Sequence, residues 1–297
     1  MEWERAKNYL IVFFLLLNIA LGFLLFTENR RYTMAGEQER LIRRVLSQNN
    51  ISIYWMPMRH FPPMRPLNVT GYYYDVEALL HIFFPNPEDV ERQERFGRQV
   101  FLYNDSWMEI INGFVSFETP NGFRQDYDDA AIDAVYQELT DGNVTRLTDI
   151  FINSHFPDFV PDSIVQLYNS ENIRVGVRII YRQEYRGMLI HSNFIEFLVT
   201  SVGIQEIEME FGQVLGHTGS PRVIFSPYEA LLAFTQRVSH ITQDRPMFIE
   251  HMDLVYFLEY FSDQPGPYHA VPFYRIFTRC EGERPFLINA FTNMSID

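Results

Sequence analysis

The longest apolar run in the chain comes first. Tyr9 to Phe26 is 18 residues without a charge, and a helix of that length rises about 27 Å, close to the hydrocarbon thickness of a bilayer. A secretory leader carries a shorter apolar region, about 7–15 residues, followed by a small-x-small cleavage site. Here the run ends in Phe26-Thr27-Glu28-Asn29 instead, which predicts an uncleaved membrane helix over 9–26 with a short tail, 1–8, before it. No second run of this kind follows, so the expectation is a single pass. Asn18 interrupts the run near its middle, and Gly22 lies one turn further along the same face. Intramembrane amides generally face another helix, and glycine lets a neighbouring backbone approach closely. Leu15, Asn18, Gly22 and Leu25 therefore predict a helix-packing stripe.

Beyond the helix the pattern changes to short blocks. "GEQERLIRRVLSQNN" puts Leu41, Ile42, Val45 and Leu46 on one helical stripe, and "ISIYWM" after it reads as a strand. "YDVEALLHIFF" predicts a short helix stopped by Pro85 and Pro87. "RQVFLYNDSWMEIINGFVSFETPNG" predicts two strands around Asn104-Asp105 and a turn at Pro120-Asn121-Gly122. "DYDDAAIDAVYQELTDG" has acids at its start and Gly142 after its end, as a helix does, and "RLTDIFINSHF" reads as another. Residues 172–211 alternate like a strand meander: Val175, Val177 and Ile179 share a face, as do Phe197 and Val199, with a register change near Gln205. "SPYEALLAFTQRV" carries an N-cap (Ser226), a proline at N1 and Glu229 at N3, a capping box ahead of the stripe Leu231, Phe234 and Val238. Three closing strands follow, the last two joined at Glu281-Gly282. Strands and helices in blocks predict an α+β fold with antiparallel sheets. The expected division is two α+β domains, 28–125 and 126–297.

The net charge is −14. Glu2, Glu4, Arg5 and Lys7 cancel, so all of it falls on residues beyond the apolar run. That balance argues against nucleic acid as a partner. Flanking charge leaves the orientation open: Arg5 and Lys7 precede the helix and five arginines follow within about 20 residues, but the positive-inside rule is weak for long translocated domains. One cysteine, Cys280, excludes an intrachain disulfide and a cysteine-based zinc site. His251-x-Asp253 would share a strand face, yet two ligands do not make a metal site. No nucleophile elbow, phosphate loop or zinc-protease motif occurs, so neither an enzyme nor a cofactor is expected. Aromatics cluster near the C-terminus, which reads first as sheet core; the alternative is a partner surface, with Tyr256, Tyr260 and Tyr274 as its candidates, since aromatics are enriched at interface cores.

Several segments together resemble the YycI family. "MEWERAKNYLIVFFLLLNIALGFLL" is similar to the start of those proteins, which open with Met, an acid and Trp before one membrane helix containing "LLN". "RRVLSQNNISI" resembles the helix-to-strand passage that follows their anchor. "VPFYRI" and "FLINAFT" resemble the closing pattern shared by YycI and YycH proteins, with Phe273-Tyr274 where Ala-Trp is usual and Asn293 in place of a final Gly. The resemblance implies PepSY-like soluble domains outside the cell membrane and a cytoplasmic N-terminus. It also implies action, with a YycH-like partner, on a sensor histidine kinase of the YycG/WalK type that governs cell-wall metabolism. No catalytic residue is implied. The alternative is a membrane-tethered PepSY-like inhibitor or scaffold that binds an envelope protease or peptide.

Overall fold

The computed structural model describes residues 2–33, 36–55, 57–71, 74–123, 135, 138–242, 246–258, 268–279 and 284–296. Its helices are α1 (Glu2–Arg31), α2 (Gly36–Gln48), α3 (Val76–Phe83), α4 (Asp141–His155) and α5 (Pro227–Thr242). The strands begin with β1 (Ile51–Ile53), β2 (Leu67–Val69), β3 (Glu91–Arg95), β4 (Arg98–Tyr103), β5 (Ser106–Ile111) and β6 (Phe114–Phe123). The middle of the chain adds β7 (Phe159–Tyr168), β8 (Arg174–Tyr185), β9 (Met188–Thr200), β10 (Gly203–Glu210) and β11 (Val214–His217). Last come β12 (Met247–Leu258), β13 (Tyr268–Thr278), β14 (Phe286–Asn289) and β15 (Ser295–Ile296). In α1 the window Lys7–Leu24 is long and apolar enough to cross a membrane, and none of it is buried against protein.

The chain gathers into two compact units, each assembled from distant segments. The first comprises Met1–Arg65, Gly219–Leu254 and Pro272–Asp297; the second comprises Pro66–Thr218 and Val255–Val271. The division expected between 125 and 126 falls inside the second unit. Hydrophobic periodicity locates strands but says nothing of which strand pairs with which, and the late strands β12 and β13 each contribute to both units.

In the first unit α2 packs on β1 and α5, and α5 on β14. Ile42 and Leu46 of α2 and Leu231, Phe234 and Val238 of α5 are buried, as their spacing requires. The capping box forms: the Glu229 carboxylate accepts from Ser226 N and Oγ, both at 2.7 Å, and Glu229 N donates to Ser226 Oγ at 3.3 Å. β14 runs antiparallel to β13, whereas β1 pairs with β12 in parallel, Ile51 opposite Met247.

In the second unit eight strands lie in the order β7-β8-β9-β10-β6-β5-β4-β3, antiparallel throughout. β9 also touches β12 in parallel at one point, Ile190 opposite Tyr256. The arrangement is therefore α+β but mixed rather than purely antiparallel. Where two strands were expected around Asn104-Asp105 there are three, because Asn112-Gly113 (φ 50° and 82°) makes a second two-residue hairpin. Pro120-Asn121-Gly122 lies within β6 rather than at a turn. The register shift near Gln205 is present, between Ile204 and Glu206.

One face of this sheet is the core. Ile179, Phe197, Ile207, Phe117, Met108 and Phe101 form a row across six strands, all buried. α3 and α4 contribute to the same cluster through Leu80, Phe83, Leu147 and Phe151. α4 begins at Asp141 with Thr140 as N-cap, so Gly142 lies in its first turn instead of after a preceding helix. The helix expected over 126–142 falls mostly outside the described residues. A buried polar group ties α4 to the sheet: Thr148 Oγ1 and Tyr181 Oη lie 2.7 Å apart, and Tyr181 donates to Asp149 at 2.7 Å.

Candidate functional site

Strand alternation that buries one face of the second unit's sheet leaves the other half-exposed. On that face two rows cross neighbouring strands. The first runs Leu198, Glu206, Glu118, Trp107 and the second Glu196, Glu208, Ser116, Glu109, each residue the direct register partner of the next. Glu206 thus stands opposite Glu118, and Glu208 opposite Glu196. Like charges in that position destabilise a sheet.

The outer carboxylates of this patch are satisfied. Arg178 Nε lies 2.7 Å from Glu196 and Arg98 Nη1 lies 3.1 Å from Glu109. Trp107 Nε1 donates to Glu118 at 3.0 Å. Glu206 and Glu208, in the centre, have no hydrogen-bond or ion-pair partner among the described residues. Desolvation raises both carboxyls above their ordinary range. Glu118 and Glu208 add to the shift at Glu206, and Glu196 adds at Glu208, against a smaller opposing pull from Arg178. Four strands at about 4.8 Å spacing make the patch roughly 14 Å wide. The sequence signal was available in "IQEIEME", three glutamates at spacing two, but it reads as ordinary solvent-facing alternation until the register sets them against other carboxylates.

The residues singled out from sequence fare differently. Leu15, Asn18 and Gly22 are exposed along α1, and a Cβ built on Gly22 meets nothing within 4 Å. The side chain of Leu25 lies outside the described residues. Tyr256 and Tyr274 are not surface groups: both are buried, at 2% and 0% exposure. Tyr274 sits in the first unit's core, donating to Phe225 O at 2.7 Å. Tyr256 packs beside His217, and burial with a contribution from Tyr185 pushes its hydroxyl up to about 12. Strands in this part of the chain are covered on both faces, so aromatic density there marks core. Tyr260 and Cys280 lie outside the described residues. Asp253 clamps the buried Arg275 at 2.9 and 2.5 Å, and His251 packs between Trp55 and Phe277, each ring 6.0 Å away. Among the described residues no three potential metal ligands converge.

A cleft of about 530 Å³ opens in the second unit between the end of α3 and the turns beside it, floored by Phe83, Phe117 and Phe123. Three of its polar side chains are committed within the chain: Ser106 donates to Thr119 at 2.8 Å, and Tyr103 accepts from Asn86 at 3.1 Å.

No protein-family model and no curated protein matches the chain. Among solved structures it is similar to the crystal structure of an uncharacterized protein from Eubacterium rectale, with a TM-score of 0.54 and 11% identity over 84% of this chain and 91% of that one. At that identity the likeness is one of fold alone.

Proposed function

We propose that the chain is a membrane-anchored extracytoplasmic regulatory protein. In this reading it modulates a sensor histidine kinase of the YycG/WalK type, together with a YycH-like partner, through its membrane helix and its folded units. One observation carries the reading furthest: Asn18, an amide within the apolar window of α1, is exposed and has no partner among the described residues. A polar group placed there seeks a partner on another membrane helix. The YycI-like segments at both ends of the sequence support the choice of a kinase as that partner.

The test places a photo-crosslinking residue at position 18 or 22 in cells that also contain a kinase of this type. Adducts with the kinase or with a YycH-like protein are expected. Labelling of lipid alone at both positions would remove the helix from the mechanism. A second reading, a tethered inhibitor or scaffold for an envelope protease or peptide, is favoured by the half-exposed sheet face. Crosslinks to such a protein from Ser116, and none from the helix, would select it.

A further inference from the structure

We infer that the half-exposed face of the second unit's sheet is a docking surface for a basic, amphipathic segment of a partner protein. The inference holds whichever protein the chain regulates. Its first support is the register: Glu118 opposes Glu206 and Glu196 opposes Glu208, two like-charge cross-strand pairs that the fold carries at a cost. Its second is that the chain already seats its own guanidinium groups on the margins of the patch, Arg98 on Glu109 and Arg178 on Glu196, while the central Glu206 and Glu208 have no ion-pair partner among the described residues. Cations therefore fit this face. The third support is apolar surface: Trp107 and Leu198 end the carboxylate row, both half-buried.

Dimensions and sign then select the occupant. The width, roughly 14 Å across four strands, accommodates about two turns of helix, on which basic residues at i, i+4 and i+7 share a face. A second copy would bring the same negative face, and nucleic acid or anionic lipid would be repelled.

The experiment uses the full chain in nanodiscs of zwitterionic lipid. The probe is a labelled peptide of about 18 residues, with arginines at i, i+4 and i+7 beside a leucine stripe. Saturable binding is expected, weakened about tenfold or more by Glu118→Gln/Glu206→Gln/Glu208→Gln, and weakened as well by raising salt from about 0.05 to 0.3 M. Glu88→Gln/Glu138→Gln/Glu171→Gln removes the same charge at exposed positions elsewhere and should bind like the parent. Glutamine at 118 can still accept from Trp107 Nε1, and at 206 and 208 it relieves more repulsion than attraction, so the face variant's circular dichroism should match the parent's. Equal binding by the two variants would reduce the effect to diffuse charge and overturn the proposal. So would an absence of saturable binding, or a face variant that changes self-association instead.

Discussion

Glu206 and Glu208 each face a carboxylate across the strand gap, so a proton taken up by either relieves a repulsion built into the native fold. Burial first, and then the neighbouring carboxylates, raise both above 4.5. Between that value and the raised one the folded chain holds protons that the unfolded chain has released. Stability from this source is full below pH ~4.5 and is lost as pH rises through the raised values. Glu206→Gln/Glu208→Gln should therefore stabilise the protein at pH 7 by about 1 kcal/mol, since cross-strand pairs contribute roughly 0.2–1 kcal/mol each. It should also flatten the decline in stability between about pH 4.5 and 7. Urea titrations at both pH values decide this; a variant whose pH curve parallels the parent's would show no repulsion to relieve. At Asn18 the magnitudes are also small. Interhelical hydrogen bonds in membranes average roughly 0.6 kcal/mol and reach ~2 in peptide systems. Asn18→Leu should weaken helix association without abolishing it, and Gly22→Ile should harm it more by steric exclusion, in a transmembrane association assay. If the double variant associates like the parent, the stripe faces lipid.

At the scale of elements, signals closed within a few residues were the legible ones. Ser226, Pro227 and Glu229 specify the start of α5 in four residues, and the helix forms with its capping bonds in place. Asp75 caps α3 in the same local way. Ser226→Ala should cost about 1 kcal/mol by loss of the cap, read as a shift of the urea midpoint at unchanged slope. Long-range pairing was not legible. The parallel match of β1 with β12 joins residues about 200 apart, and no hairpin turn announces it. The acidic face was missed for the same reason, because each glutamate is unremarkable on its own strand. Composition reports aromatic density and not the side it faces, so it offered Tyr256 and Tyr274 either as sheet core or as a partner surface, and both are core. The Asp253–Arg275 pair joins two late strands, and its guanidinium is almost wholly buried. Asp253→Ala should destabilise by about 3 kcal/mol, the lower end for breaking a buried ion pair, and Arg275→Met added to it should recover part of the loss. A double variant no better than the single would show that Arg275 is held mainly by other contacts.

On the scale of the whole molecule, neither half of the sequence contains a complete unit. Truncations 28–125 and 126–297 should each fail to unfold cooperatively in urea, because the second unit draws on residues from both. A sharp transition from either fragment would contradict that division. The proposed topology has its own check: protease added to intact protoplasts should digest the chain beyond residue 28, and full protection would place it in the cytoplasm. The interleaved layout also sets the timing of biosynthesis. Multidomain chains generally fold from the N-terminus as synthesis proceeds, at about 5–20 residues per second. Here the unit that includes the first 65 residues also needs the segment from Pro272 to Asp297. Its early helix and strand, α2 and β1, are made long before α5 and β12 exist to receive them. Maturation of the first unit has to wait for Pro272–Asp297, so a chain stalled before that segment leaves an intermediate with bare strand edges, a substrate for chaperones and quality-control proteases.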